Sequence, residues 1–389
     1  MSFKTLHDFD LSDKTVLLRA DLNVPVQDGK ISDFTRIDRL KPTIDYLNQN
    51  AKRIIILSHY GRPKGEVNND YSLSFLPETL STHWETQIGF DEDSDTKITL
   101  KENLRFHKGE EANDKDFAKA LAALGDVYIN DAFSCAHRAH ASTEGITHLL
   151  PSGAGLLMEA ELNALSDALE NPEKPVMAIV GGAKISTKLS VLHNLVKKVD
   201  YLVLGGGMAN TFLFANNQMV GKSLCEEDMV NEARQIERTA KENNCEIILP
   251  KDCVIVSELK EGTESSTTAL PHFPEDKMAV DAGVESIKNV CDVLDACKTV
   301  LWNGPFGVFE IKPFDNATNQ VAKKVAQMTK DKKLISVAGG GDTVSALDNA
   351  GVIDDFSYIS TAGGAFLEWL EGKELPGVAA LSAQNKKAA

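Results

Sequence analysis

The chain has 389 residues, 42% of them hydrophobic and 25% charged, and a formal net charge of −16. That length is too great for one ordinary core and calls for two domains of about 150–200 residues each. The acidic balance argues against non-specific nucleic-acid binding and against docking on an anionic membrane, so a site for an anion has to gather its basic residues locally.

Short β-branched runs recur, each closed by Gly, Asp, Asn or His. TVLLRADLNV (15–24), RIIILSH (53–59), KITLKEN (97–103) and VYINDAF (127–133) come first. A helical pattern follows KITLKEN at 114–124, and GLLMEAELNALSDALE (155–170) predicts a Pro-free helix of about 16 residues, about 24 Å long. Asn171-Pro172 ends it, because a residue before Pro is pushed out of the helical region. This helix is read as a rigid spacer between two domains, 1–170 and 171–373. Beyond it come VMAIVGG (176–182), YLVLGGG (201–207), EIILPKD (246–252), TVLWNGP (299–305), a helix at 316–330, LISVAGGG (334–341) and SYISTAGG (357–364). The runs are continuously apolar, which suits strands buried on both faces of a parallel sheet. The order β-α-β-α predicts an α/β fold of two doubly wound parallel-sheet, Rossmann-like domains joined by a helix and hinge.

The first 14 residues lack a basic region followed by an apolar stretch, and no apolar run approaches the ~20 residues of a spanning helix. The six cysteines form no CxxC pair. A reduced, cytoplasmic protein without a zinc site is expected, with neither membrane nor nucleic acid as partner.

In open α/β sheets ligands collect at the carboxyl ends of strands. In the first half those ends deliver Asp21, Asn23 and Arg36, then His59, Arg62 and Lys64, then Arg105, His107 and Lys108, then His137, Arg138 and His140. A single surface Arg is ordinary, but four successive strand ends with this chemistry predict a basic cup for a small polyanion, since guanidinium matches carboxylate and phosphate oxygens. In the second half the ends carry Gly181-Gly182, Gly205–Gly207, Asn303-Gly304, Gly339–Gly341 with Asp342-Thr343, and Gly363-Gly364. Such loops let a backbone approach phosphates, and a helix that starts behind one offers free N–H groups. Asp342 suits a phosphate-bound Mg²⁺. Lys184 and Lys188 stand at i,i+4, where a helix would align them toward a phosphate. GxxxxGK[ST] and the protein-kinase signatures are absent, and GxGxxG is not met at Gly205. Glu226 and Glu227, about 20 residues on, keep a degenerate NAD-dependent dehydrogenase as the alternative reading.

The motifs RADLNVP (19–25), SHYGRP (58–63), ENLRF (102–106), AHRAHAST (136–143), GGAKISTK (181–188), GGGMANTFL (205–213), WNGPFGVFE (302–310), GGGDT (339–343) and TAGGAFLEWLEGK (361–373) follow one another in this order. With them the chain resembles the phosphoglycerate kinases over essentially its whole length. The resemblance implies reversible phosphoryl transfer between 1,3-bisphosphoglycerate and ADP, giving 3-phosphoglycerate and ATP, with Mg²⁺. It implies Asp21, Asn23, Arg36, His59, Arg62, Arg105 and Arg138 as the phosphoglycerate site. Lys188, Glu310 and the loop of Gly340, Gly341, Asp342 and Thr343 become nucleotide contacts. Gly205, Gly206 and Asn303 are placed near the adenosine, and Lys184 near the transferring phosphate. The residues after about Lys373, 374–389, are expected to return to the first domain, and a monomer is expected. Three positions depart from the common pattern: Tyr60 for Leu, Ser134 for Gly and Ala362 for Gly.

The attacking groups, a phosphate oxygen in one direction and a carboxylate in the other, are ionised at neutral pH. No general base is needed, and catalysis rests on positioning and charge stabilisation. Arg36 is the expected donor on the substrate side and Lys188 on the nucleotide side, with helix N-termini at Gly341 and Gly364.

Overall fold

The computed structural model describes residues 3–91 and 95–387. The chain divides into two compact units, Met1–Asn163 with Glu374–Ala389, and Ala164–Lys373.

The first unit is built on a six-stranded parallel sheet in the order Ile88–Phe90, Ile98–Leu100, Arg53–Leu57, Thr15–Arg19, Val127–Asn130, Ser152–Ala154. Its strands are largely apolar because both faces are covered. Val16 and Leu18 pack with Ile54 and Ile56 against Ile37, Leu40, Ile44 and Leu47 of the helix Thr35–Asn50. Leu17, Ile55 and Leu57 point the other way, into a core with Leu104, Leu121 and Tyr128. The alternation follows from the two-residue period of a strand. The chain starts in the middle of the sheet and then extends it to either side, which opens a crevice at the carboxyl ends of Thr15–Arg19 and Val127–Asn130. The helix Pro376–Lys387 belongs to this unit, and the Gly377 N–H donates to the Ala136 carbonyl at 2.9 Å.

The second unit has a parallel sheet in the order Glu246–Ile248, Tyr201–Leu204, Val176–Val180, Thr299–Asn303, Ile335–Gly339, Tyr358–Ser360. Its switch point lies between Val176–Val180 and Thr299–Asn303. A small antiparallel sheet of Ser266–Ala269, Asp252–Val256 and Met278–Ala282, not anticipated from the sequence, is added to it.

All ten apolar runs are strands of the two parallel sheets. The edge strands Ile88–Phe90 and Ser152–Ala154 escaped notice, since three residues with a central glycine carry no apolar run. The long helix differs in detail from its sequence reading. It is α-helical over Leu156–Leu165 and widens to a π turn at Ser166–Glu170, where the Asn171 N–H reaches back five residues to Ser166 O at 2.9 Å. Pro172 bars helical geometry at Asn171, so the helix ends on this wider bond. No helix among the described residues is long and apolar enough to cross a membrane.

Candidate active site

The crevice of the first unit holds the basic residues. Arg36, in the first turn of Thr35–Asn50, pairs with Asp21 through Nη1 and Oδ2 at 2.6 Å. Asp21 Oδ1 also accepts from the Asn23 N–H at 3.1 Å. Asn23 Oδ1 accepts from the Gly61 N–H at 2.9 Å, and Gly61 O accepts from Arg105 Nη1 at 2.8 Å. Asp21, Asn23, Arg36 and Arg105 are thus tied into one chain of bonds, and Gly61 carries exposed Arg62 beside it. Arg138 is exposed too and donates from Nε to His137 Nε2 at 3.1 Å. Burial first, with Arg19 and Arg138 adding repulsion, pulls the Arg105 guanidinium below its usual value. A gathering of cations that disfavour one another is relieved by an anion. Lys64, His107 and Lys108 are exposed around this core, whereas His140 is buried.

A buried layer beneath the cup was not read from the sequence. Arg19, 1% exposed, donates to Ser142 Oγ at 2.9 Å, to Ala20 O at 2.6 Å and to His59 Nδ1 at 3.1 Å. Ser142 passes the contact on to buried Glu110 at 2.6 Å. Because Arg can only donate, His59 Nδ1 is an acceptor and the ring proton sits on Nε2. Burial, and then the Arg19 charge, hold His59 well below its ordinary pKa, so it is a neutral hydrogen-bond donor at pH 7. The sequence signal for this layer is a charged residue ending an otherwise apolar strand.

Asp21, His59 and Cys135 have potential ligand atoms within 4.8 Å of one another. They do not suit a metal. Arg19 Nη2 already faces His59 Nδ1 and, at 3.8 Å, Cys135 Sγ, and burial pushes the Cys135 thiol up, so it stays protonated.

In the second unit the chemistry converges on the switch point. Lys188 Nζ donates to Gly181 O at 2.7 Å, Asn303 O at 3.0 Å and Asn303 Oδ1 at 2.6 Å, which spans the ends of the two central strands. Burial lowers its pKa to about 8, with Asp342 offsetting part of the cost. Asn303 Nδ2 donates to Gly339 O at 2.7 Å and the Gly304 N–H to Thr343 Oγ1 at 2.7 Å, so the lysine and the glycine loop are locked together. Gly340 has φ +99°, and a Cβ there would lie 2.6 Å from Asn303 Nδ2. The helix Gly341–Asn349 begins immediately behind it, and a Cβ on Gly341 would meet open space. Gly363, at φ +53°, leads in the same way into Gly364–Leu370.

Lys184 and Lys188 do not share a helix face. They flank the 3₁₀ turn Ile185–Thr187, with Lys184 extended and exposed and Lys188 turned inward. Asn303, expected near the adenosine, stands beside Lys188 on the loop side. Gly206, Glu310 and Asp342 line a cavity of about 330 Å³. Gly205 caps the helix Gly206–Ala215 behind it. Among the described residues Asp342 makes no hydrogen bond or ion pair, and it is exposed in the first turn of its helix. One free carboxylate next to a glycine loop fits a hydrated Mg²⁺ of the kind carried by phosphates.

Two of the unusual residues have simple surroundings. Tyr60 stacks edge-on against Phe75, with ring centroids 5.3 Å apart, and Ala362 is buried without a positive φ, so its Cβ costs no strain.

The family model "Phosphoglycerate kinase" matches residues 6–373. A phosphoglycerate kinase of Rhodospirillum centenum is 55% identical over 98% of this chain and 100% of its own, and one from Chelativorans sp. is 54% identical over 97% and 99%. Among solved structures, phosphoglycerate kinase from Coxiella burnetii superposes with a TM-score of 0.93 at 40% identity, covering 98% of this chain and 100% of that one. The enzyme from Pyrococcus horikoshii gives 0.78 at 29%, over 98% and 99%. None of these relatives supports an NAD-dependent dehydrogenase. Glu226, which that reading would place on a ribose, accepts instead from the Ser186 N–H at 3.0 Å and Ser186 Oγ at 2.6 Å and so anchors the turn between the two lysines.

Proposed function

The chain belongs to the phosphoglycerate kinase family, and on that premise we propose how its residues share the transfer of a phosphoryl group between 1,3-bisphosphoglycerate and ADP. The observation that carries the reading is the pair of crevices, one crowded with guanidinium groups around a neutral imidazole, the other lined by glycine loops around a half-buried lysine. Asp21, Asn23, His59, Arg62, Arg105 and Arg138 hold the phosphoglycerate, so the first unit is the phosphoglycerate-binding domain. Lys188, Gly340, Gly341, Asp342 and Thr343 hold the nucleotide phosphates, and Gly205, Gly206 and Glu310 bound the adenosine, so the second unit is the nucleotide-binding domain. Asn303 serves by presenting Lys188.

Arg36 from one side, and Lys188 with exposed Lys184 from the other, face the oxygens of the group in flight. The backbone N–H groups at Gly341 and Gly364 add positive ends of helices to the same charge. Both nucleophiles are already anions, and neutral His59 supplies a hydrogen bond without moving a proton. Mg²⁺, held by Asp342 and the nucleotide, neutralises phosphate charge when bound.

Both crevices are completed within one chain, which supports a monomer, and six free thiols suit the reducing cytoplasm. A steady-state assay with ATP and 3-phosphoglycerate tests the function and the metal together. We expect ADP formation that is abolished by chelating Mg²⁺ and restored by adding it back. Turnover that survives chelation removes the metal assignment, and no turnover with Mg²⁺ present removes the function.

A further inference from the structure

Ser134 stands where glycine is common in this family, and its hydroxyl faces the crevice. We infer that Ser134 is a positioning residue for the transfer, holding the Asp21 carboxylate in the plane from which it orients Arg36. The inference rests on the assignment of Arg36 to the phosphoglycerate side.

Asp21 and Ser134 come from the two strands that flank the switch point of the first unit. Asp21 follows Thr15–Arg19, and Ser134 lies in the 3₁₀ turn Phe133–Cys135 that follows Val127–Asn130. The Ser134 hydroxyl donates across the crevice to Asp21 Oδ2. That same oxygen accepts from Arg36 Nη1 at 2.6 Å, while Oδ1 accepts from the Asn23 N–H. Three donors from three directions fix both the position and the rotation of the carboxylate. With Asn23 and Arg36 alone each oxygen keeps one donor, and the terminal torsion, broad for an sp³–sp² bond, is less tightly restrained. Glycine at 134 removes the third donor.

The consequence falls on Arg36. It is about one-third exposed, and Asp21 is its one hydrogen-bond partner among the described residues. The rest of its guanidinium fork is open to a ligand, and its direction is inherited from Asp21. Other uses of the hydroxyl are weaker. Its remaining neighbour, Cys135 Sγ, is 3.7 Å away, and burial keeps that thiol protonated. His59 and Arg19 also face this cluster, but they are tied to each other, and among the described residues Ser134 and Arg36 are the side-chain donors on Asp21.

The test compares Ser134→Ala, Ser134→Thr and Arg36→Ala with the parent, using ATP and 3-phosphoglycerate. A hydrogen bond to a charged group is the lever, so Ser134→Ala should lower kcat/KM for 3-phosphoglycerate about fivefold to tenfold. The KM for ATP and the melting temperature should stay at parental values, and Ser134→Thr, which keeps the hydroxyl, should restore most of the loss. Arg36→Ala should lose far more turnover. Parental kinetics in Ser134→Ala beside a crippled Arg36→Ala overturn this inference alone. Equal losses in the Ala and Thr variants, or a loss that follows a fall in melting temperature, overturn it as well. Parental turnover in Arg36→Ala overturns the assignment of Arg36 and this inference with it.

Discussion

Lys188 shows how a single side chain is prepared for its ligand. Its ammonium is held by three oxygens yet is buried enough to bring its pKa down to about 8, because carbonyl and amide dipoles replace water only in part. On the proposed assignment, an arriving phosphate would supply the full negative charge that is missing. The folded pKa lies below the unfolded value near 10.5, so the fold itself gains stability as pH rises from about 8 toward 10.5. Nucleotide binding runs the other way and loses its charged partner over the same window. At pH values above about 8 the proton on Lys188 is partly lost, so ADP binding there should be accompanied by net proton uptake. Calorimetry in two buffers of different ionisation enthalpy measures this. Asp281, which lines the cavity together with Asp342, is raised by burial to about 7 and is already ionised in that range. We expect uptake in the parent and none in Lys188→Ala; absent uptake in the parent would take Lys188 off the phosphate. Residue types at this scale were partly legible. His59 and Lys188 announce themselves just after apolar runs, and Arg19 by ending one, whereas Glu110 gives no such signal. The role of Arg19 and Glu110 depends on burial against residues distant in the chain, as the bonds from Arg19 to Ser142 and from Ser142 to Glu110 show.

The glycine loop before Gly341–Asn349 joins strand, turn and helix into one element, and its glycines serve different ends. Gly340 is required by the fold, since its φ of +99° and the nearby Asn303 Nδ2 leave no place for a side chain. Gly341 is not, because a Cβ there meets nothing within 4 Å. Gly340→Ala should therefore cost about 1–3 kcal/mol of stability, seen in thermal or urea unfolding. Gly341→Ala should leave stability within about 0.5 kcal/mol of the parent while weakening ADP binding about tenfold, because its methyl group stands where phosphate oxygens approach the helix. Comparable stability loss in both variants, or full ADP affinity in Gly341→Ala, would contradict this division. Strands were the most legible elements. Every strand of the second parallel sheet falls within a β-branched run closed by a loop residue, although Glu246–Ile248 and Tyr358–Ser360 are only three residues long. In the antiparallel sheet, Ser266–Ala269 is largely exposed and carries no core pattern, whereas Asp252–Val256 is a buried apolar run that the sequence does show. The π turn was invisible, since it depends on how Pro172 ends a helix and not on helix propensity.

At the scale of the molecule, the two crevices belong to different units of the chain. A phosphoryl group passes between donor and acceptor only when the reacting atoms are about 3–3.5 Å apart, and an acyl phosphate in contact with water is lost to hydrolysis. On the proposed assignment, we expect the state that carries both substrates to bring the two half-sites together and exclude water, with Leu156–Leu165 and the π turn after it, where the boundary between the units falls, as the hinge. The acidic surface makes this demand sharper: with a net charge of −16, the chain holds two anionic substrates together only by concentrating cations at the point of transfer. Small-angle scattering on the chain alone, with 3-phosphoglycerate, with Mg²⁺ and ADP, and with all three, tests the division of labour most directly. We predict that the radius of gyration falls when both substrates are present and that neither ligand alone gives the full change; an unchanged radius with both substrates bound, or full compaction with one, would contradict it.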